Sequence, residues 1–121
     1  MTRLNHRFSG LAGSLVLAAG LVITAQVAAA EDAVAAGKKL AFDRKKGNCL
    51  ACHHIEGGSL MGNIAPPLVA MKSRFPDKAK LRTQIFDPTK ANPRSIMPPF
   101  GKHRILSDKE IDLVTEFIYS L

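Results

Sequence analysis

Cys49-Leu50-Ala51-Cys52-His53 is the stretch on which the reading of this chain turns. Cys-x-x-Cys-His is the spacing of covalent c-type haem attachment. Two cysteines one helical turn apart bring both sulfurs to one porphyrin edge, where each forms a thioether. The next residue, His53, is then carried beneath the ring with its imidazole facing the iron. Three other uses of the spacing compete. A redox dithiol normally sits in a βαβ context, and no strand pattern occurs in this sequence. A structural zinc site wants four ligands at matched spacings, and no second Cys pair exists. A plain disulfide between Cys49 and Cys52 leaves His53 without a purpose. One covalently bound haem c is the expectation.

Outward from the motif, the pattern is helical. Ala36, Leu40 and Ala41 recur at helical spacing, with Lys38, Lys39 and Asp43 on the other face, which predicts a helix from Ala33 to about Lys45. Gly37 inside it costs ~1 kcal/mol relative to Ala, and either marks a close helix–helix approach or is simply tolerated. Residues 56–67 read as loop, punctuated by Gly57-Gly58, Gly62-Asn63 and Pro66-Pro67. A short helix is expected from Leu68 to about Arg74. Asp77 caps another from Lys78 to Phe86, which Pro88 stops. Residues 90–105 form a second long loop, of a length that is often functional. Ser107-Asp108-Lys109-Glu110 is a capping-box pattern opening a last helix, with Ile111, Val114, Phe117, Ile118 and Leu121 as its apolar stripe. The expected architecture is a small all-α domain with N- and C-terminal helices packed around the haem.

A sixth iron ligand must come from the far face of the ring. Met61, Met71, Met97, His54 and His103 are the candidates. His54 lies about 100° round the same helical turn as His53 and cannot reach that face. Met61 follows His53 too closely to wrap the porphyrin, and Met71 reads as core. Met97 sits in the second long loop, where Pro98 biases it towards extended backbone and Pro98-Pro99 stiffens the approach. Met97 is favoured over His103, and His/Met pairs do ligate haem. A closed sixth position argues against a gas-binding protein. A ligand His usually donates its other N–H to a carbonyl. Pro66, in Ala65-Pro66-Pro67-Leu68, is the candidate acceptor, unless these prolines only shape the loop.

The N-terminus reads as an export leader. Arg3 and Arg7 precede an apolar stretch from Leu11 to Ala25, and Ala28-Ala29-Ala30 offers small residues at −3 and −1 before Glu31. The stretch is shorter than the ~20 residues that span a bilayer. No Cys lies near the expected cleavage point, so neither a membrane span nor a lipid anchor is expected after processing. Cleavage after Ala30 leaves residues 31–121, with 15 of the 17 basic residues, all 10 acidic ones and a net charge of +5. The whole chain of 121 residues allows one domain and excludes an enzyme with a separate cofactor domain. Cys49 and Cys52 are the only cysteines, too close together to staple the fold, so a haem is the natural core of so small a domain. Lys38-Lys39, Arg44-Lys45-Lys46 and Lys72/Arg74 either steer an acidic partner or are a solvated basic surface. No nucleic-acid motif occurs.

These features together resemble class I cytochromes c: Gly37 and Leu40, then Cys49-x-x-Cys52-His53, then Ala65-Pro66-x-Leu68, then Met97-Pro98. The resemblance implies that the Pro66 carbonyl holds the proximal His53, with Ala65 standing where Gly is usual. More narrowly, Leu40-Ala41-Phe42-Asp43-Arg44, Lys46-Gly47-Asn48-Cys49, Gly62-Asn63-Ile64, Arg74-Phe75-Pro76-Asp77 and Ile96-Met97-Pro98-Pro99-Phe100-Gly101 look like the SoxX family. SoxX is the small monohaem subunit of the SoxAX cytochrome of bacterial sulfur oxidation. That resemblance implies a periplasmic heterodimer with a larger SoxA-like cytochrome. Together the two couple thiosulfate oxidatively to a cysteine of a SoxYZ-like carrier, as an L-cysteine S-thiosulfotransferase. The catalytic haem would belong to the partner. This chain would accept electrons and pass them to a soluble cytochrome c. A free-standing monohaem electron carrier is the alternative. Phe75-Pro76 and Pro98-Pro99-Phe100-Gly101 are candidate interface segments, although Phe100 is equally suited to the core.

Overall fold

The structure is a computed structural model that describes the backbone of residues 16–121 and the side chains of residues 28–121. Arg3, Arg7 and the start of the expected leader lie outside the described residues. The unit formed by Glu31–Leu121 carries the fold described below. Four helices occur among the described residues, α1 (Val16–Phe42), α2 (Met71–Arg74), α3 (Lys78–Phe86) and α4 (Asp108–Ser120), with 3-10 turns at Cys49–Ala51 and Pro88–Lys90. No strand occurs among them, and the fold class is all-α as the pattern predicts. Also among the described residues, no helix is long and apolar enough to cross a membrane.

α4 is the organiser. Ser107 Oγ accepts the Glu110 N–H, and the Glu110 carboxylate accepts the Ser107 N–H at 2.9 Å, so the capping box closes in both directions. The α4 stripe Ile111, Val114, Phe117 and Ile118 is buried. α3 lies against α4, with Leu81 and Ile85 turned inward and Asp77 capping its first turn through the Ala79 N–H at 2.9 Å. Surface ion pairs Arg82–Asp112 and Lys78–Glu116 join the two helices, each a minor contribution in water. α1 crosses α4 at Gly37. A Cβ there would fall on the Leu113 carbonyl and press on Phe117, so the helix penalty of Gly37 is offset by the close approach it permits. The Phe42 and Phe117 rings meet edge to face, 5.7 Å apart.

Three boundaries differ from the sequence reading, the first being the start of α1, at Val16 rather than Ala33. α1 stops at Phe42 rather than near Lys45. The Asp43 carbonyl takes the N–H groups of Lys46 and Asn48, and Gly47 N–H returns to the Leu40 carbonyl at 3.1 Å, which turns the chain into the cysteine motif. α2 starts at Met71 rather than Leu68. Leu68 N–H is drawn to the His54 carbonyl at 2.9 Å, and Ala70 takes a left-handed φ of 50°. Pro88 does end α3, but it also opens a 3-10 turn whose N–H groups are capped by Asp87.

The second long loop is anchored at its base. Phe100 is 6% exposed and belongs to the core, which decides against its use as an interface residue. Gly101 lies on the face of the Phe86 ring, where no Cβ would fit. The Phe86 carbonyl accepts from Gly101 N–H at 3.0 Å and Lys102 N–H at 3.2 Å, and the Lys102 ammonium pairs with the buried Asp87 carboxylate. Hydrogen bonding by Thr89 and the nearby Lys102 hold the Asp87 carboxyl below the usual carboxylate range.

Candidate functional site

Asn48, in a left-handed conformation at φ 47°, starts the 3-10 turn that holds both cysteines. Cys52 N–H and His53 N–H both donate to the Cys49 carbonyl, at 3.3 and 2.9 Å. The turn therefore carries two half-buried free thiols and an imidazole as one rigid group. Burial pushes the Cys49 thiol up to about 11. At neutral pH it is protonated, a poor attacking group for dithiol exchange. Among the described residues no three or more His, Cys, Asp or Glu side chains gather to hold a metal ion. Neither the dithiol nor the zinc alternative is supported.

His53 Nδ1 lies 2.7 Å from the Pro66 carbonyl oxygen. A carbonyl can only accept, so Nδ1 carries the proton and Nε2 keeps its lone pair free for a metal. The Pro66 segment is strapped to the motif on both sides, by Ala65 N–H to the Cys52 carbonyl at 3.0 Å and Leu68 N–H to the His54 carbonyl.

The motif faces a divided cleft. One chamber, about 310 Å³, is lined by Cys49, Cys52, His53, Met97, Ile96 and Ile105 among others. A deeper one, about 110 Å³, has Cys49, His53 and Met97 in its wall together with Met71, Ile85 and Leu106. His53 and Met97, far apart in sequence, thus share both chambers. Of the other ligand candidates, Met71 shares the deeper chamber and the rest line neither. His54 and His103 are exposed. Met61 Sδ accepts the Ile55 N–H at 3.3 Å. Met71 is buried in the core, as the sequence reading has it, and lines only the deeper chamber. A separate, more polar hollow of about 400 Å³ beside Phe42, Leu50 and Leu60 contains neither His53 nor Met97.

A cytochrome c family model matches residues 34–121. The chain is a member of the cytochrome c family. It is therefore an electron-transfer haem protein whose family carries haem c bound covalently. The donor set fits that group. Two thiols three residues apart, an imidazole with Nε2 free and a thioether all face one predominantly apolar cleft. The cytochrome is also 33% identical over 76 residues to an uncharacterized lipoprotein of Aquifex aeolicus (strain VF5). That match covers 62% of this chain and only 37% of the relative's length.

Sequence reasoning overlooked three parts of the site. Leu81 and Ile85 wall the deeper chamber from a helix whose apolar positions look like ordinary core, beside Phe75, which the sequence reading offered to an interface instead. The brace from Arg74 to the Pro67 carbonyl, 2.7 Å long, has no sequence signal. The close approach of Gly101 to the Phe86 ring, at the base of the Met97 loop, joins two segments that nothing in their composition pairs.

Proposed function

We propose that this chain is the electron-accepting monohaem subunit of a SoxAX-type L-cysteine S-thiosulfotransferase, exported to the periplasm after cleavage near Ala30. Its own residues hold the haem. Cys49 and Cys52 would supply the thioethers, and His53 Nε2 and Met97 Sδ would hold the iron, with the Pro66 carbonyl fixing the His53 ring. The group supplies one-electron transfer, and His/Met ligation favours a high potential. The apolar walls would exclude water from the group, and the anchored 98–106 loop keeps Met97 at the cleft.

The shared cleft of Cys49, Cys52, His53 and Met97 carries the haem reading. The SoxX-like segments around it support the finer one. Joining thiosulfate to a carrier thiol forms one S–S bond and releases the thiol proton and two electrons. A one-electron centre must take these singly and pass them on, here to a soluble cytochrome c. Both cysteines of the chain are committed to the haem, so the chain offers neither a cysteine ligand for a catalytic haem nor a nucleophilic thiol. That chemistry falls to the SoxA-like partner and the SoxYZ-like carrier. Ile96 is 80% exposed at the cleft mouth, beside Ile105, Arg44 and Lys45. An apolar patch ringed by cations suits a docked protein partner.

The test is purification from the source periplasm. A 1:1 complex with a larger cytochrome, whose haems are reduced by thiosulfate when the carrier is present, is the expected result. A monomer with a c-type spectrum and no such partner would assign the chain as a free-standing electron carrier instead.

A further inference from the structure

Pro66 and Pro67 have no N–H, so neither can be tied down as a donor. The nearest backbone donors, on Ala65 and Leu68, are already spent on the Cys52 and His54 carbonyls. Between them the segment has two polar handles, its carbonyl oxygens. The Pro66 carbonyl faces His53 Nδ1. The Pro67 carbonyl accepts from Arg74 Nη1 at 2.7 Å. The Pro67 ring locks φ and leaves ψ as the single soft dihedral between these two peptide planes, so holding one carbonyl narrows the range of the other.

Arg74 is well placed for this. Its helix, α2, follows the left-handed Ala70, which reverses the chain towards Pro67. Ser73 N–H and Arg74 N–H both return to the Ala70 carbonyl, and Met71 N–H donates to the Leu121 carbonyl at 3.1 Å. Met71 is buried, and its Sδ lies 3.5 Å from the same Arg74 nitrogen. The guanidinium thus connects the end of α4 to the peptide that orients His53. A charged donor makes a stronger hydrogen bond than a neutral one.

We propose that Arg74 is a positioning residue for the proximal histidine, acting through the Pro67 and Pro66 carbonyls on the orientation of the His53 ring. This rests on the reading of His53 as the haem ligand. The experiment uses the holoprotein with its c-type absorption intact. It reads two quantities by NMR, the exchange rate of the His53 Nδ1 proton and the haem-methyl shifts of the oxidised protein, which report the plane of the axial imidazole. Arg74→Met should speed exchange about tenfold or more, the scale of one lost charged hydrogen bond, and move the haem-methyl shifts. Arg74→Lys, which keeps a cationic donor, should restore both towards the parent values. Lys72→Met removes a charge from the same short helix without touching Pro67 and should change neither. If Arg74→Met does not accumulate as holoprotein, Arg74→Gln, too short to reach Pro67, takes its place with the same expected change. Exchange that stays at the parent rate in the Met or Gln variant would overturn the proposal, as would an equal response in Lys72→Met. Failure of the haem reading would show differently, as a parent protein without a c-type spectrum.

Discussion

The two sides of the cleft are held in different ways. On the histidine side, backbone hydrogen bonds tie the motif at short intervals: Gly62 to Leu50, Ala65 to Cys52 and Leu68 to His54, with His53 itself bonded to Pro66. On the methionine side, residues 91–99 are pinned mainly at their base, by Phe86, the Asp87–Lys102 pair and buried Phe100. Met97, near the tip, packs against the core and has one local hydrogen bond, its N–H to Ser95 Oγ at 3.3 Å. The contrast teaches that His53 is set by its own neighbours and Met97 by a lever. Damage at the motif should remove the haem, whereas damage at the tip of the lever should free only the sixth position.

Substitution of the thioether residues should have the largest effect. Cys49→Ala or Cys52→Ala leaves at most one covalent link, and the apolar cleft then lacks much of its filling. Haem-stained gels and circular dichroism should show little holoprotein and a largely unfolded chain. Full haem retention by the doubly substituted, folded chain would break the comparison outright.

At the base of the lever, Phe100→Ala should cost about 3 kcal/mol or more, the usual scale for truncating a buried aromatic, measured by denaturant unfolding of the holoprotein. Phe100→Asp should be worse, because it buries a charge. Near-parent stability in both would return Phe100 to the surface.

Met97→Ala acts at the tip. It should leave the thioethers and His53 in place, abolish the near-infrared sulfur–iron band and admit carbon monoxide or imidazole. The potential should fall, because a thioether ligand favours ferrous iron. A spectrum unchanged by Met97→Ala but altered by Met71→Ala or His103→Ala would move the distal ligand elsewhere.

The smallest effect concerns the joint between the motif and α4. Bonds from Ser107 and the Lys46 ammonium hold the Glu110 carboxyl down to about 2, against an ordinary 4.5. A carboxyl depressed in the folded state contributes stability above its unfolded value, and that contribution is lost as pH falls towards 2. Glu110→Gln should therefore lower stability modestly at pH 7 and flatten the loss between pH 4.5 and 2, read as the melting temperature against pH. An equal acid slope in the variant would assign that loss to other carboxylates.

What could be read from the residues was whatever neighbours in sequence decide among themselves. The Cys49–His53 turn, the Asp77 cap and the Ser107–Glu110 capping box involve partners within a few residues, so local spacing was enough to place them. Family membership followed from the same motif together with Pro66 and Met97 at suitable distances along the chain. The tertiary structure decided the rest, because each remaining feature depends on a contact that no local spacing pattern announces. The Asp43 carbonyl stops α1 early only because Gly47 folds back on Leu40. Phe100 is core because Gly101 can lie on Phe86. The Pro67 carbonyl meets Arg74 because Met71 is buried against α4. Local hydrogen-bonding chemistry is written in short sequence patterns, whereas close packing is fixed only when distant surfaces meet and exclude water.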